Sequence, residues 1–199
     1  QFWSGDWIRA QNVWRRWMNA HVTPKCKGDI IQPMAVTGDN GGGIENQEVT
    51  ETNQLEGIEF FKSLDFGPQT GWWIDAGWYP CYTAPEKKEW PTTGTWEPDR
   101  SHLPHGLAPI GAALKEAGMG FVLWFEPERV RPDTWLAQRH PEWMLRARSG
   151  HPKEDCVDEN NMMLNLTDPA CLEWLCQHFS TLIKESGVTI YRQDFNFAP

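Results

Sequence analysis

Met119-Gly120-Phe121-Val122-Leu123-Trp124-Phe125-Glu126-Pro127-Glu128 is an apolar run that ends abruptly on an acid. With no polar alternate, the strand it predicts is buried on both faces, as parallel strands covered by helices are. Gly118 before it stops a helix expected over about Leu107 to Ala117. Two other stretches repeat the design. Gly71-Trp72-Trp73-Ile74-Asp75 reads as a buried strand closing on Asp75, and Val188 to Tyr191 as one that leads to Asp194.

Helices are expected between the strands. Leu55, Ile58, Phe61 and Leu64 mark one over about residues 51–64, stopped by Gly67-Pro68. Asp168-Pro169 supplies an N-cap and first-turn proline to another, with Leu172, Leu175, Phe179, Leu182 and Ile183 as its buried stripe and Gly187 as its end. A short strand is expected around Ile30 to Val36. Upstream, Trp7, Ile8, Val13, Trp14, Trp17 and Met18 recur at helical spacing in an amphipathic lead-in. Strand–loop–helix units in series fit a doubly wound sheet or a (β/α)₈ barrel. Acids at the C-terminal ends of the strands favour the barrel, whose mouth is built there. No glycine-rich turn of the dinucleotide type opens the first helix. The fold class expected is therefore α/β, a TIM-type barrel with its first four βα units present, residues 1–29 forming the lead-in and 30–199 the N-terminal half. Half a barrel leaves open sheet edges, and the chain opens on Gln1 rather than Met, so it is expected to be part of something longer.

Composition narrows the partners. With 27 acidic against 18 basic residues and a net charge of −9, neither nucleic acid nor an anionic membrane is expected. No apolar stretch is long enough for a membrane helix, and residues 1–20 lack a signal peptide's core, which leaves the compartment open and favours the cytoplasm. The five cysteines are irregularly spaced, with no C-x-x-C pair, and are expected as free thiols. The acidic segment His151 to Glu159 lacks calcium-loop spacing and reads as a solvated charge run; no metal or cofactor is expected. The 13 Trp are an excess, and flat amphipathic plates suit the C–H face of a sugar ring, although about half are expected in the core.

Breaking a glycosidic bond with retention takes a carboxylate nucleophile and a carboxylic acid about 5–5.5 Å apart. Asp194 suits the first role, with Arg192 two residues earlier on the same strand face and Asn196 continuing the alternation. Each acid also has a plainer use: Asp194 as a helix cap, Asp75 as a brace for the Gly77 turn, Glu126 and Glu128 in ion pairs. Three acids at three strand ends, each beside Trp, tip the balance to a site at a barrel mouth.

The segments Trp72-Trp73-Ile74-Asp75-Ala76-Gly77-Trp78, Trp124-Phe125-Glu126-Pro127-Glu128 and Tyr191-Arg192-Gln193-Asp194-Phe195-Asn196, in that order, resemble the melibiase-type α-galactosidases. So do Pro98-Asp99-Arg100 with Leu103-Pro104-His105-Gly106-Leu107, and His140-Pro141-Glu142-Trp143. The resemblance implies hydrolysis of terminal α-D-galactosides with retention, without metal, on oligosaccharides or glycoconjugates; a homo-oligomer of the full-length protein is compatible with it. It implies Asp194 as nucleophile, Asp75 as an acid that holds galactose hydroxyls, Trp124 as a lining of the sugar pocket and Glu126 behind them; Trp78, Arg192 and Asn196 are expected as further sugar-binding residues. The chain departs from the pattern in having Arg192 where Lys is usual and Asp75-Ala76 where two acids are usual. It also lacks an arginine before Met163-Leu164-Asn165-Leu166, the family's acid/base aspartate and the preceding β-sandwich. The alternatives are a non-catalytic carbohydrate-binding remnant, or an α-N-acetylgalactosaminidase or other retaining α-glycosidase.

Overall fold

The computed structural model describes residues 3–31, 35–38, 49–64, 70–84, 87–88, 90–145 and 161–195. The chain divides into two compact units, Gln1–Met34 and Ala35–Pro199. The first holds helix α1 (Trp7–His21) and a small antiparallel pair, Lys25–Cys26 with Asp29–Ile30. Asp6 caps α1 by accepting the Ile8 amide at 2.9 Å, and no residue of the helix is buried. Its Trp14 and Trp17 stack on one another, ring centres 5.1 Å apart.

The second unit is built on a four-stranded parallel sheet of β1 (Ala35–Gly38), β2 (Thr70–Ile74), β3 (Gly120–Phe125) and β4 (Ile190–Gln193), lying side by side in sequence order. A doubly wound sheet reverses its order at a switch point; these four strands do not. The first strand begins later than the expected Ile30 to Val36, because Ile30 pairs in the upstream hairpin. The last runs to Gln193 rather than ending at Tyr191, and the Asp194 amide extends its ladder by donating to the Phe125 carbonyl at 2.9 Å.

Helices α2 (Glu51–Ser63), α3 (Ala108–Glu116) and α5 (Pro169–Ser186) join these strands, and a short α4 (Trp135–Arg139) lies in the connection after β3. Thr50 and Asn53 form a reciprocal capping box on α2, and Asp168 caps α5 by accepting the Ala170 and Cys171 amides. Gly187 ends α5 at φ 70°, where a side chain would be strained. The buried stripe of α5 differs by one position from the sequence expectation: Cys171 is buried and Leu172 exposed.

Strand alternation assigns the faces. Trp72, Phe121, Leu123 and Phe125 point to the helices: Trp72 packs edge-on against Phe61 of α2, and Phe125 lies 4.6 Å from Phe179 of α5. The Trp72 indole N–H would be an orphan there, and the wholly buried Gln54 of α2 accepts it at 2.8 Å. A polar residue on the apolar side of α2 is thus explained by one hydrogen bond.

Five Trp are buried (Trp72, Trp78, Trp96, Trp124, Trp143), and Trp90, Trp135 and Trp174 pack against the core. Most of the tryptophan excess is therefore core. Cys81 and Cys171 are buried and Cys26 and Cys176 exposed, none of the four in a disulfide, while Cys156 and the acidic run 151–159 lie outside the described residues. Burial pushes the Cys171 thiol up to about 11, so it is inert at neutral pH.

The long connection after β3 has order that periodicity did not reveal. Met162–Leu164 pairs antiparallel with Arg129–Val130 on one side and Met144–Leu145 on the other. Gly94, at φ 106°, lets the loop after β2 approach it so closely that an added Cβ would meet Val130 Cα at 2.9 Å.

One tie predicts a pH effect. His105 donates its amide to Glu51 at the start of α2, and its ring nitrogen lies 3.0 Å from the same carboxylate. The His105 side-chain contact comes first among the causes that hold the Glu51 carboxyl below its usual range. A lowered carboxyl contributes stability above its unfolded pKa and loses it as pH falls through the folded value. His105→Ala is thus expected to narrow the stability gap from wild type as pH drops from about 6 toward about 3, read in urea midpoints. A gap that stays constant over that window would contradict it.

Candidate active site

The face of the sheet turned away from the helices, here called the inner face, carries the alternate residues. Register sets Trp73 beside Val122, and Arg192 beside Trp124. Two residues on from Trp73 is Asp75, and two on from Arg192 is Asp194, so these side chains share the inner face at the C-terminal ends of β2 and β4.

Asp194 is the meeting point. Its Oδ2 accepts the Trp124 indole N–H at 3.0 Å and the Arg192 Nη1 at 2.9 Å. Its Oδ1 accepts the Phe195 amide at 3.0 Å. Arg192 and Asp194 keep about a third of their side-chain surface (33 % and 29 %), so the gripped carboxylate stays partly open. An anchored, partly open carboxylate beside a cation is what a nucleophile or cation-stabilising group requires. The guanidinium of Arg192 also stacks over the Trp73 ring, 4.8 Å from its centre.

Trp124 contributes its N–H rather than a platform: its ring is buried, parallel to Tyr79 at 6.4 Å. Trp78, expected at the sugar, is wholly buried instead. Just past the turn at Gly77 (φ 122°), the Trp78 indole donates to the Trp124 carbonyl at 3.0 Å and its ring packs edge-on against Phe125. Asp75 is 6 % exposed, and its Oδ1 accepts the Ala76 amide at 2.7 Å, which fits the bracing use as well as sugar binding. Glu126 is fully buried and ion-paired with Arg129. Asn196 lies outside the described residues.

Sequence reasoning missed three neighbours. Trp73 was read only as part of an apolar strand. Gln193 donates to Glu128 at 2.9 Å, tying β4 to the loop after β3 beside Asp194. Tyr191 stacks on Phe125 at 4.9 Å, and burial raises its phenol to about 12. Only strand alternation plus register places these, and register is not visible in one sequence. The other shared motifs are structural. The Asp99 amide donates to the Trp78 carbonyl, Leu103 is buried, and His140 stacks on Trp143 at 3.9 Å.

Comparison with known proteins agrees with the motif reading. The Melibiase family model matches residues 58–198, well over half the chain. The chain belongs to the melibiase family. Among curated relatives of this melibiase-family chain, an Escherichia coli alpha-galactosidase is 30 % identical over 123 residues, which is 62 % of this chain and 16 % of the relative. Alpha-galactosidase 2 of Hypocrea jecorina is 26 % identical over 195 residues, covering 94 % of the chain and 24 % of the relative. A substituted form of the GH36 alpha-galactosidase AgaA of Geobacillus stearothermophilus, solved with raffinose, superposes with a TM-score of 0.68 at 18 % identity, over 92 % of this chain and 24 % of that one. The melibiase chain thus spans about a quarter or less of the length of these relatives.

Proposed function

We propose that this melibiase chain carries the nucleophile of a retaining α-galactosidase, and that the nucleophile is Asp194. The observation that carries the reading is the convergence of the Trp124 N–H and the Arg192 guanidinium on one oxygen of a half-open carboxylate at a strand end. In the first step the Asp194 carboxylate attacks the anomeric carbon as the glycosidic bond breaks, and the leaving oxygen takes a proton from a carboxylic acid. Water then releases galactose from the covalent intermediate. Arg192 and Trp124 hold the attacking group in line, while Asp75 serves the sugar hydroxyls and Glu126 stiffens the rim. The reach of Arg192 across β3 to Trp73 implies a concave inner face, which supports the barrel. The substrates proposed are oligosaccharides or glycoconjugates ending in α-galactose; a GH36 relative was solved with raffinose and another with stachyose.

The proton donor in this reading comes from outside residues 1–199. That chain alone is expected to show no turnover of an aryl α-galactoside above the uncatalysed rate, since general-acid help is worth about 10²–10⁴. Robust turnover by the isolated chain would overturn that assignment. For the nucleophile, the full-length protein is treated with an activated 2-deoxy-2-fluoro-α-galactosyl donor and digested. A galactosyl adduct on the peptide containing Asp194 supports the enzyme. Galactose binding with an unlabelled peptide supports the second reading, a carbohydrate-binding remnant.

A further inference from the structure

Resting on the reading of Asp194 as nucleophile, we infer that Trp73 is a positioning residue for the reaction and that it acts through Arg192. Trp73 lies on β2 and Arg192 on β4, with β3 between them, a gap of two strand spacings or roughly 9–10 Å. The inward residue of β3 that stands in register with Trp73 is Val122, which is small enough for a long side chain to pass over. Arg192, in register with Trp124 one row further along β3, lays its guanidinium over the indole, Cζ 4.8 Å from the ring centre, while Nη1 meets Asp194 Oδ2 at 2.9 Å.

A guanidinium is a plane, and stacking fixes that plane. With the plane set by Trp73, the one Nη that meets Asp194 is fixed in direction as well. The carboxylate is then located by two rigid donors, the stacked Arg192 and the buried Trp124 indole. Without the ring, Arg192 keeps its charge and its reach but regains rotamers, and Asp194 loses a fixed contact. A lysine at 192 keeps a cation–π attraction but has no plane for the ring to orient.

The Trp73 indole supports this use. Its N–H is buried with no acceptor in reach among the described residues, so no hydrogen bond accounts for its place. What it offers is the ring face. Arg192 and Trp73 are thus two halves of one device.

The test is a double-mutant cycle in the full-length protein, with Trp73→Leu, Arg192→Lys and the pair, each normalised to the fraction of molecules labelled at Asp194 by the fluorogalactosyl donor. Trp73→Phe is measured alongside because it keeps a ring in place if the leucine variant folds poorly. Expected are a fall in kcat of about tenfold or more for Trp73→Leu with KM changed less than about threefold. Trp73→Phe should recover most of that loss, and adding Trp73→Leu to Arg192→Lys should cost less than about twofold more. Equal losses in both backgrounds, or a phenylalanine variant no better than leucine, would show Trp73 to be packing only. A wild-type protein that is inactive and unlabelled at Asp194 would instead remove the nucleophile reading, and this role with it.

Discussion

Asp194→Asn in the full-length protein is expected to lower kcat/KM for an α-galactoside on the order of 10⁴-fold or more, the scale seen when a nucleophile acting with partners is removed. The replacement is nearly isosteric, but its amide cannot attack an anomeric carbon. Its effect on folding is bounded by the contacts. One side-chain oxygen still accepts from Trp124 and Arg192, and the new NH₂ group then faces the Phe195 amide. Two donors facing one another cost about 1–3 kcal/mol at a half-open position. A variant that keeps its thermal midpoint within a few degrees and binds galactose, yet turns over nothing, matches the assignment. Retention of more than about a tenth of wild-type activity would move the nucleophile elsewhere. Comparable loss on replacing Trp124 by Phe is not expected, since the carboxylate keeps Arg192 and the Phe195 amide.

Gly111→Ala is expected to be the most damaging single-methyl change described here. Helix propensity alone favours it: alanine in a helix interior beats glycine by about 0.5–1 kcal/mol. Packing reverses the sign. A Cβ on Gly111 would stand 1.8 Å from the Ser186 carbonyl oxygen and 2.9 Å from its carbon, and both are backbone. No side-chain rotation relieves that contact. Helices α3 and α5 meet backbone to backbone at this point, so one must move away from the sheet and loosen Ile110, Leu114 and Phe179. Overpacking of this kind costs about 3 kcal/mol, which corresponds to roughly 6–12 °C in Tm for a domain of this size. Thermal unfolding of the full-length protein followed by far-UV circular dichroism is the measurement. Ala112→Gly, one residue along and exposed, is the control, expected to cost only about 1 kcal/mol. If Gly111→Ala proves neutral or stabilising, the close crossing of α3 and α5 is wrong.

The two variants show where legibility ends. Asp194 stands out in one dimension because a short apolar strand, an arginine and an acid at fixed spacing are local features. Gly111 reads in the sequence as a mild defect within a helix, and only the neighbouring helix makes it necessary. The same division runs through the site. Arg192 and Asp194 sit two apart on one strand, so their shared face followed from alternation. Resemblance to the family, not local pattern, put Asp75 beside a sugar, and only the tertiary structure shows the Trp78 indole buried and donating to the Trp124 carbonyl. Trp73 went unremarked because an apolar residue in a buried strand needs no further explanation until a partner two strands away is seen.

By itself the sequence determined the succession of the four parallel strands and the long helices between them, the Asp168 cap, the Gly118 and Gly187 stops, and the acids at the strand ends. Each of these depends on contacts within a few residues, through the periods of strand and helix and the preferences of Asp, Pro and Gly. Tertiary structure alone decided the sequential order of the four strands, their register, and which tryptophans are core and which touch the carboxylate. Those choices rest on pairings between residues 50 to 80 positions apart, such as Trp124 with Asp194 and Phe121 with Thr189, and no local preference encodes them.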